Sequence, residues 1–340
     1  MRMRNASRFW SGLSTGRFRA LLRPCVRDPD GMNQQTRRSF IRQTSTATAA
    51  LAVGCATTSS GAGRNIIDAH VHVWTPDLAR YPIHRDFKRS DMLPPSFTPE
   101  QLFAHCRPEG VDRIVLIQMS WYRYDNAYML DCMDRFPGVF GGVGIVDWFG
   151  DRPDADMAKL AKRGVRGFRV TFRDAESIDH WVETPAFERM FKHAADNGLA
   201  ICPLMDPRGL PSLSRMCEKH PDTRVVIDHF CRIGIKGPMP DAEVNALAAM
   251  AKFPNTHVKV SAFYALGSRK PPHGDLEPMI KNMHAAFGAK RLMWASDCPY
   301  AVDNETYRDS LTLVRDGCAW LSEEDRNWML RGTAEKVFYS

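Results

Sequence analysis

The stretch of sequence that decides the fold is IIDAHVHVW, residues 66–74. Its two-residue alternation predicts a short β-strand whose two faces differ. One face carries the apolar residues 67, 69, 71 and 73, and the other carries Asp68, His70, His72 and Trp74. Two imidazoles one pleat apart lie close enough to hold one metal ion or one carbonyl oxygen together. The alternative is a half-exposed strand that carries two histidines without a role, so the interpretation depends on partners from later strands.

Strand-like apolar segments alternate with helical segments from this stretch to the end of the chain. Thr98 and Thr184, each followed by proline, are typical helix starts, and Gly110 and Gly198 are typical helix ends. Eight strands are predicted, over residues 66–74, 111–119, 139–148, 165–172, 199–206, 223–229, 256–261 and 291–297. This alternation predicts a single-domain α/β fold over residues 64–340, a (β/α)₈ TIM barrel.

Polar or ionisable residues recur where the predicted strands end. They are His70, His72, Asp147, Arg169, Asp206, His229, Lys259 and Asp297. The active sites of TIM barrels gather at the carboxyl ends of the strands. We therefore expect the two histidines of the first strand to meet groups from the later strands.

Basic charge is concentrated ahead of this region. Residues 1–63 hold ten arginines against two aspartates, and removing them from the totals of 46 basic and 39 acidic residues leaves 36 and 37. The predicted barrel is therefore close to neutral, which argues against a nucleic-acid partner. The seven cysteines beyond residue 63 show no metal-binding or disulfide spacing, so we expect them to be free thiols.

The arginine-rich extension is predicted to be an export signal. Arg37 and Arg38 lie in a TRRSFIR segment that resembles the twin-arginine motif, and a short apolar run follows. The sequence AVGC, which ends at Cys55, resembles a lipoprotein cleavage site, so attachment to a membrane through a lipid on Cys55 is a further expectation. These features predict a periplasmic protein, and Met32 is an alternative start of the chain.

Four motifs together resemble the amidohydrolase superfamily. They are HVH at residues 70–72, DHFCR at 228–232, KVS at 259–261 and WASDCP at 294–299. The resemblance runs from about residue 65 to the end of the chain. It is greatest to the branch of TIM-barrel hydrolases that includes the sugar-lactone and pyrone-dicarboxylate lactonases. The resemblance implies a hydrolase whose substrate is a small lactone or a carboxylated ring.

Candidate roles follow from the chemistry of each group. Asp297 could take a proton from water that attacks an acyl carbon, and His229 could stabilise the resulting oxyanion. Arg169 and Arg232 could bind a substrate carboxylate or hydroxyls through their guanidinium groups, and Lys259 could act on the substrate electrostatically. The resemblance places Arg232 where pyrone-dicarboxylate lactonases have a substrate-binding arginine. The alternatives are structural: a capping aspartate, a core histidine and an internal ion pair for Arg169.

A metal site is the second expectation. His70, His72 and Asp297 supply three ligands and would leave an open position on one divalent ion, Zn²⁺ or Mn²⁺. The fourth strand has Arg169 where relatives with two metals have a carbamylated lysine, and the fifth strand lacks a histidine. Activity without a metal, with the two histidines on the substrate itself, therefore stays open.

The sequence thus predicts a hydrolase that opens a lactone or similar cyclic ester with water activated by Asp297. One alternative is a non-oxidative decarboxylase of the same barrel family, although such enzymes tend to have glutamate near position 231, where this chain has Cys231. The other is an exported protein that binds a sugar acid without catalysis.

Overall fold

The computed structural model describes residues 65–172 and 175–340, and the side chains of 175–177 are outside this description. The predicted export signal at Arg37 and Arg38, the lipid site at Cys55 and Met32 lie outside the described residues. No helix of the described barrel has the length and apolar character that a membrane crossing needs.

Eight parallel strands form one sheet in the order of the chain. They are β1 (Ile66–Val71), β2 (Val111–Ile117), β3 (Phe140–Gly144), β4 (Val165–Thr171), β5 (Ala200–Leu204), β6 (Arg224–Ile227), β7 (Thr256–Ser261) and β8 (Leu292–Ala295). Beyond β8, the amide of Asp297 donates to the carbonyl of His70 at 3.0 Å, and the amide of His72 donates to the carbonyl of Cys298 at 2.9 Å. These bonds join the last strand to the first, and the predicted TIM barrel is confirmed.

The first eight helices connect the strands, and the last three follow β8. The helices are α1 (Pro99–Cys106), α2 (Ala127–Arg135), α3 (Pro153–Ala161), α4 (Ala175–Val182), α5 (Pro185–Asp196), α6 (Leu210–Lys219), α7 (Asp241–Ala249), α8 (Glu277–Phe287), α9 (Tyr307–Thr312), α10 (Glu323–Asn327) and α11 (Thr333–Phe338). The hydroxyls of Thr98 and Thr184 cap α1 and α5 as expected. The periodicity did not predict α4, and it merged α10 and α11, which a π-helical turn (Trp328–Gly332) separates.

The main core fills the barrel interior. Apolar residues of six strands meet the last helix there: Ile67, Ala69, Val115, Ile117, Val143, Ala200, Cys202, Val226, Met293 and Ala295, with Ala334, Val337 and Phe338 of α11. The Tyr339 hydroxyl lies 2.8 Å from the carbonyl of Ile114 in β2 and 3.0 Å from the carbonyl of Val139 just before β3, which places α11 at the amino end of the barrel. With this end covered, the carboxyl end remains for the polar groups.

Candidate active site

A bulge in β1 determines which of its side chains reach the site. Asp68 pairs with Ile114 and Val71 with Leu116, so β1 advances three residues while β2 advances two. The extra residue reverses the alternation of side chains, as bulges do. The prediction that Asp68 shares a face with His70 and His72 is therefore wrong. Its carboxylate accepts hydrogen bonds from the Tyr307 and Ser296 hydroxyls.

The predicted strand also ends early. β1 stops at Val71, and Trp74 forms an isolated antiparallel bridge with Phe97. The indole nitrogen of Trp74 donates to the carbonyl of Pro94 at 2.8 Å. Trp74 therefore lies beyond the strand, and its indole fastens the loop that follows β1.

Three buried side chains converge at the carboxyl end of the barrel. The Nε2 atoms of His70 and His72 are 3.3 Å apart, and each lies 3.5 Å from Oδ1 of Asp297. Among the described residues, this is the one group of three histidine, cysteine or acidic side chains with a ligand arrangement of this kind. The sequence prediction that β1 and the end of β8 supply a common set of ligands agrees with this geometry.

The contacts of the two histidines show which ring nitrogens face acceptors and which face donors. Nδ1 of His72 lies 2.9 Å from the carbonyl of Ile117, which only accepts, so Nδ1 carries the proton and Nε2 has a lone pair. Nε2 of His70 lies 3.1 Å from Nη2 of Arg169, which only donates, so this Nε2 also has a lone pair. Nδ1 of His70 lies 3.4 Å from Oδ1 of Asp228 and 3.1 Å from Nζ of Lys259.

This arrangement fits a divalent metal ion. Two nitrogen lone pairs and a carboxylate oxygen face one another, and Oδ1 of Asp297 is buried without a hydrogen-bond partner. Tetrahedral zinc with bonds of about 2.0–2.1 Å would separate its ligand atoms by about 3.4 Å, close to the observed 3.3 and 3.5 Å. Since acceptors at this distance repel one another without a cation, His70, His72 and Asp297 are suited to hold one.

A buried ion cluster lies beside His70. Asp228 is completely buried, and its two oxygens bind different cations: Oδ2 accepts from Nη2 of Arg169 at 2.7 Å, and Oδ1 lies 3.0 Å from Nζ of Lys259. The Lys259 ammonium is also 3.1 Å from Nδ1 of His70 and 5.6 Å from the ring centroid of Phe338. The cluster therefore connects the site to the apolar core and orients the imidazole of His70.

The sequence interpretation missed the part played by Asp228, although it quoted the residue in the motif before His229. Strand parity could have found it, because the last residues of neighbouring strands share an interior. Burial would by itself raise the pKa of Asp228, but the charges of Lys259 and Arg169 outweigh it and hold that pKa well below its usual range. The carboxylate is therefore ionised at neutral pH.

His229 comes from an unusual turn. The residues 229–232 all have positive φ, between 48° and 61°, which is a conformation that costs non-glycine residues about 1 kcal/mol or more each. The turn places His229 beyond the end of β6, where its Nδ1 bonds to the Ser261 hydroxyl at 2.8 Å and its Nε2 lies 3.8 Å from Oδ2 of Asp297. Such strain is typical of functional sites.

Tyr264 supplies a fourth contact to the Asp297 carboxylate. It lies in the short turn after β7, and its hydroxyl donates to Oδ2 of Asp297 at 2.7 Å. Asp297 therefore has one oxygen towards His70 and His72 and the other towards Tyr264 and His229. Burial and the charge of Asp297 raise the pKa of Tyr264 well above 10, so the phenol keeps its proton.

The titration behaviour of the site suits catalysis at neutral pH. Burial, and after it the charge of Lys259, holds the pKa of His70 well below 6.5, and burial lowers the pKa of His229 as well. Burial by itself would raise the pKa of Asp297, but the neighbouring histidines, His229 first, outweigh it and bring that pKa below its usual range. The site therefore combines neutral imidazoles at His70 and His229 with an ionised carboxylate at Asp297.

The two arginines predicted to bind substrate each have an acidic partner. Arg169 is buried against Asp228, and Nη1 of Arg232 lies 3.2 Å from Oδ1 of Asp206, which follows β5. Arg232 and Asp206 are both partly exposed at the carboxyl ends of neighbouring strands. Asp147, in contrast, lies beyond β3 and accepts from the amide of Phe149, so it does not join the described cluster. The predicted substrate-binding roles of Arg169, Arg232 and Lys259 remain predictions.

The fold and site define a class: TIM barrels that carry two histidines on the first strand and an aspartate after the last. The sequence profile of the Amidohydrolase family matches residues 67–339. This chain belongs to that family.

Individual relatives agree with this assignment. The chain is 34% identical to L-fucono-1,5-lactonase of Burkholderia ambifaria over 68% of its own length and 80% of the relative. It is 22% identical to 4-sulfomuconolactone hydrolase of Hydrogenophaga intermedia over 80% of its length and 88% of the relative. A crystal structure of a Burkholderia multivorans amidohydrolase with bound zinc shares the fold, with a TM-score of 0.68 and 22% identity over 81% of this chain and 99% of that one.

Proposed function

We propose that this chain hydrolyses a lactone, with Asp297 as the general base and His229 as the group that stabilises the oxyanion. The observation that carries the proposal is the meeting of His70, His72 and His229 around one buried carboxylate. Two curated relatives that act on lactones, at 34% and 22% identity, support it. An enclosed carboxylate beside neutral imidazoles suits removal of a proton from water at an acyl carbon.

We infer that His70, His72 and Asp297 hold one divalent ion, Zn²⁺ or Mn²⁺. Such an ion, when bound, polarises a carbonyl and lowers the pKa of water. The hydrogen bond from His72 to Ile117 and the contact between His70 and Asp228 keep both Nε2 atoms aimed at the centre. Second contacts of this type fix the tautomer and ring orientation of metal-binding histidines.

Asp297, His229 and Lys259 have different roles in the proposed reaction. Asp297, ionised at neutral pH, receives the proton of the attacking water. The Nε2 atom of His229, oriented through Ser261, approaches the carbonyl oxygen of the ester as negative charge develops there. Lys259 acts through His70 and Asp228, because its ammonium contacts both side chains.

We further propose that the substrate is a neutral, hydroxylated lactone. Arg169 is buried and paired with Asp228, and Arg232 lies beside Asp206, so neither guanidinium offers its full charge to a carboxylate. A paired arginine and aspartate present a donor and an acceptor side by side, which is what a sugar hydroxyl requires. The fucono-lactonase relative is consistent with this preference.

Export through Arg37 and Arg38, and a lipid on Cys55, are also proposed. The support is the resemblance of residues 36–42 to a twin-arginine motif and of residues 52–55 to a lipoprotein cleavage site. Cell fractionation tests this proposal. Protein cleaved before Cys55 is expected in the periplasmic or membrane fraction, and protein confined to the cytoplasm would contradict the proposal.

Metal content and hydrolysis together test the enzymatic proposal. Purified protein is expected to contain about one divalent ion per chain and to open aldonolactones, with activity lost to a chelator and restored by Zn²⁺. His72→Ala should lose both the metal and the activity, and Asp297→Ala should lose about 10³-fold or more in kcat. His180→Ala, which changes an exposed histidine of α4, is the matched control.

Two outcomes would redirect the proposal. Full activity in the chelator would remove the metal from it and leave the histidines on the substrate carbonyl. Release of CO₂ from an aromatic acid, with no lactone opened, would overturn lactone hydrolysis altogether.

A further inference from the structure

The hydroxyl of Tyr264 is the nearest proton donor to the catalytic carboxylate. It donates to Oδ2 of Asp297 at 2.7 Å, whereas Nε2 of His229 is 3.8 Å from the same oxygen, beyond hydrogen-bond distance. Tyr264 is itself half-buried. Two left-handed residues, Ala262 with φ 59° and Asp297 with φ 63°, turn the chain after β7 and β8 and bring the two groups together.

The chemistry of a lactone requires a second proton transfer at this position. When the acyl–oxygen bond breaks, the ring oxygen leaves as an alkoxide, which is a poor leaving group unless it is protonated. Asp297 holds the proton from water at that stage, and its Oδ1 faces His70 and His72. Its other oxygen, Oδ2, is the one in contact with a phenol that can pass the proton on.

We propose that Tyr264 protonates the leaving oxygen and is reprotonated by Asp297. This inference rests on the proposed lactone hydrolysis. Water gives one proton to Asp297 as its oxygen bonds to the acyl carbon. As the ring carbon–oxygen bond then breaks, the Tyr264 hydroxyl gives its proton to the ring oxygen, and the carboxyl of Asp297 returns its proton to the phenolate. One water is consumed, one hydroxyl and one carboxylic acid are formed, and both side chains end as they began.

His229 is less suited to this role. Its Nδ1 is bonded to Ser261, and its remaining nitrogen is the group assigned to the carbonyl oxygen. An acid for the leaving group must lie on the side of the ring oxygen and in contact with the base that collects the proton. Among the described groups around Asp297, Tyr264 has the hydrogen bond that this transfer requires.

The test compares two neutral six-membered lactones with different leaving groups. δ-Valerolactone releases an alkoxide, and dihydrocoumarin releases a phenoxide that needs no proton to leave. Tyr264→Phe is expected to lower kcat by about 10²–10³-fold on δ-valerolactone and by less than about fivefold on dihydrocoumarin. Its affinity for Zn²⁺, measured by calorimetry, should stay within about twofold of the wild type, because the ligand atom Oδ1 is not the bonded oxygen.

Tyr339→Phe is the matched control, since it removes a buried tyrosine hydroxyl at the opposite end of the barrel and should leave both rates unchanged. Equal losses of Tyr264→Phe on both lactones, or no loss on either, would overturn the relay. If the wild type opens neither lactone nor any aldonolactone, the proposed function fails and the relay with it. If Tyr264→Phe does not fold, 3,5-difluorotyrosine at position 264 replaces it. The rate should then change on δ-valerolactone and stay the same on dihydrocoumarin.

Discussion

The buried cluster of Asp228, Arg169 and Lys259 gives the most demanding prediction, because one neutral substitution leaves two cations without their acid. In Asp228→Asn the shape is retained and the charge is lost. The Asp228 carboxylate lies 3.0 Å from Lys259 and 2.7 Å from Arg169. At an effective dielectric constant of 20, its gross attraction is about 5.5 kcal/mol to Lys259 and about 6 kcal/mol to Arg169. Much of this offsets desolvation, and removing one partner of a buried pair costs about 3–5 kcal/mol.

Urea unfolding, followed by tryptophan fluorescence in the presence of a chelator, measures this loss without a contribution from metal binding. A loss of about 3–5 kcal/mol is a large part of a typical stability of roughly 5–15 kcal/mol, so the midpoint should fall strongly. Lys259→Met leaves Asp228 paired with Arg169, so it should lower the free energy of unfolding by less than Asp228→Asn does. The double variant Asp228→Asn, Lys259→Met should be less destabilised than the sum of the single changes, because one unpaired cation is then gone. An unchanged midpoint for Asp228→Asn, or simple additivity in the double variant, would refute the reasoning.

Three further changes probe other parts of the molecule. Burial raises the pKa of Asp68 from an ordinary 3.8 to about 6, so the folded protein retains a proton that the unfolded chain has released. The free energy of unfolding should therefore fall by up to about 3 kcal/mol as the pH rises from about 4 to 6. Urea unfolding should show this fall in the stability difference between the wild type and Asp68→Asn, and a difference that is constant with pH would contradict it. Gly167→Ala should cost about 1–3 kcal/mol, because a new Cβ would lie 3.2 Å from the ring of Phe338 and 3.1 Å from Val143, and an unchanged Tm would show that the core can yield. Asp206→Asn should free the charge of Arg232 and raise the ratio of kcat/KM for an anionic lactone over a neutral one about tenfold, whereas an unchanged ratio would separate this pair from substrate choice.

Local patterns along the chain carried much of the architecture. Strand β7 matches the predicted 256–261, and the caps at Thr98 and Thr184 form as expected, because a strand period or a helix cap depends on residues that are close in sequence. The conjunction of His70, His72 and Asp297 was also predictable, since strand ends of a barrel share one face and the motifs identify the family.

Other features required the closed barrel. The separation of Asp68 from the histidines depends on a bulge against β2, and the contact of Asp228 with Lys259 depends on the pairing of β6 with β7. The turn at 229–232 adopts a conformation that its residue types disfavour, and no local pattern predicts it. The bond between Tyr264 and Asp297 joins residues that are 33 positions apart.

The sequence by itself thus determined the order of the strands, the family and the identity of the candidate ligands. The tertiary structure decided which nitrogen of each histidine faces the centre, which acid neutralises each arginine and which phenol reaches the catalytic carboxylate. The physical reason is range: periodicity and capping are local, whereas the bulge, the strained turn and the buried charge pairs form only when distant strands come together around one core.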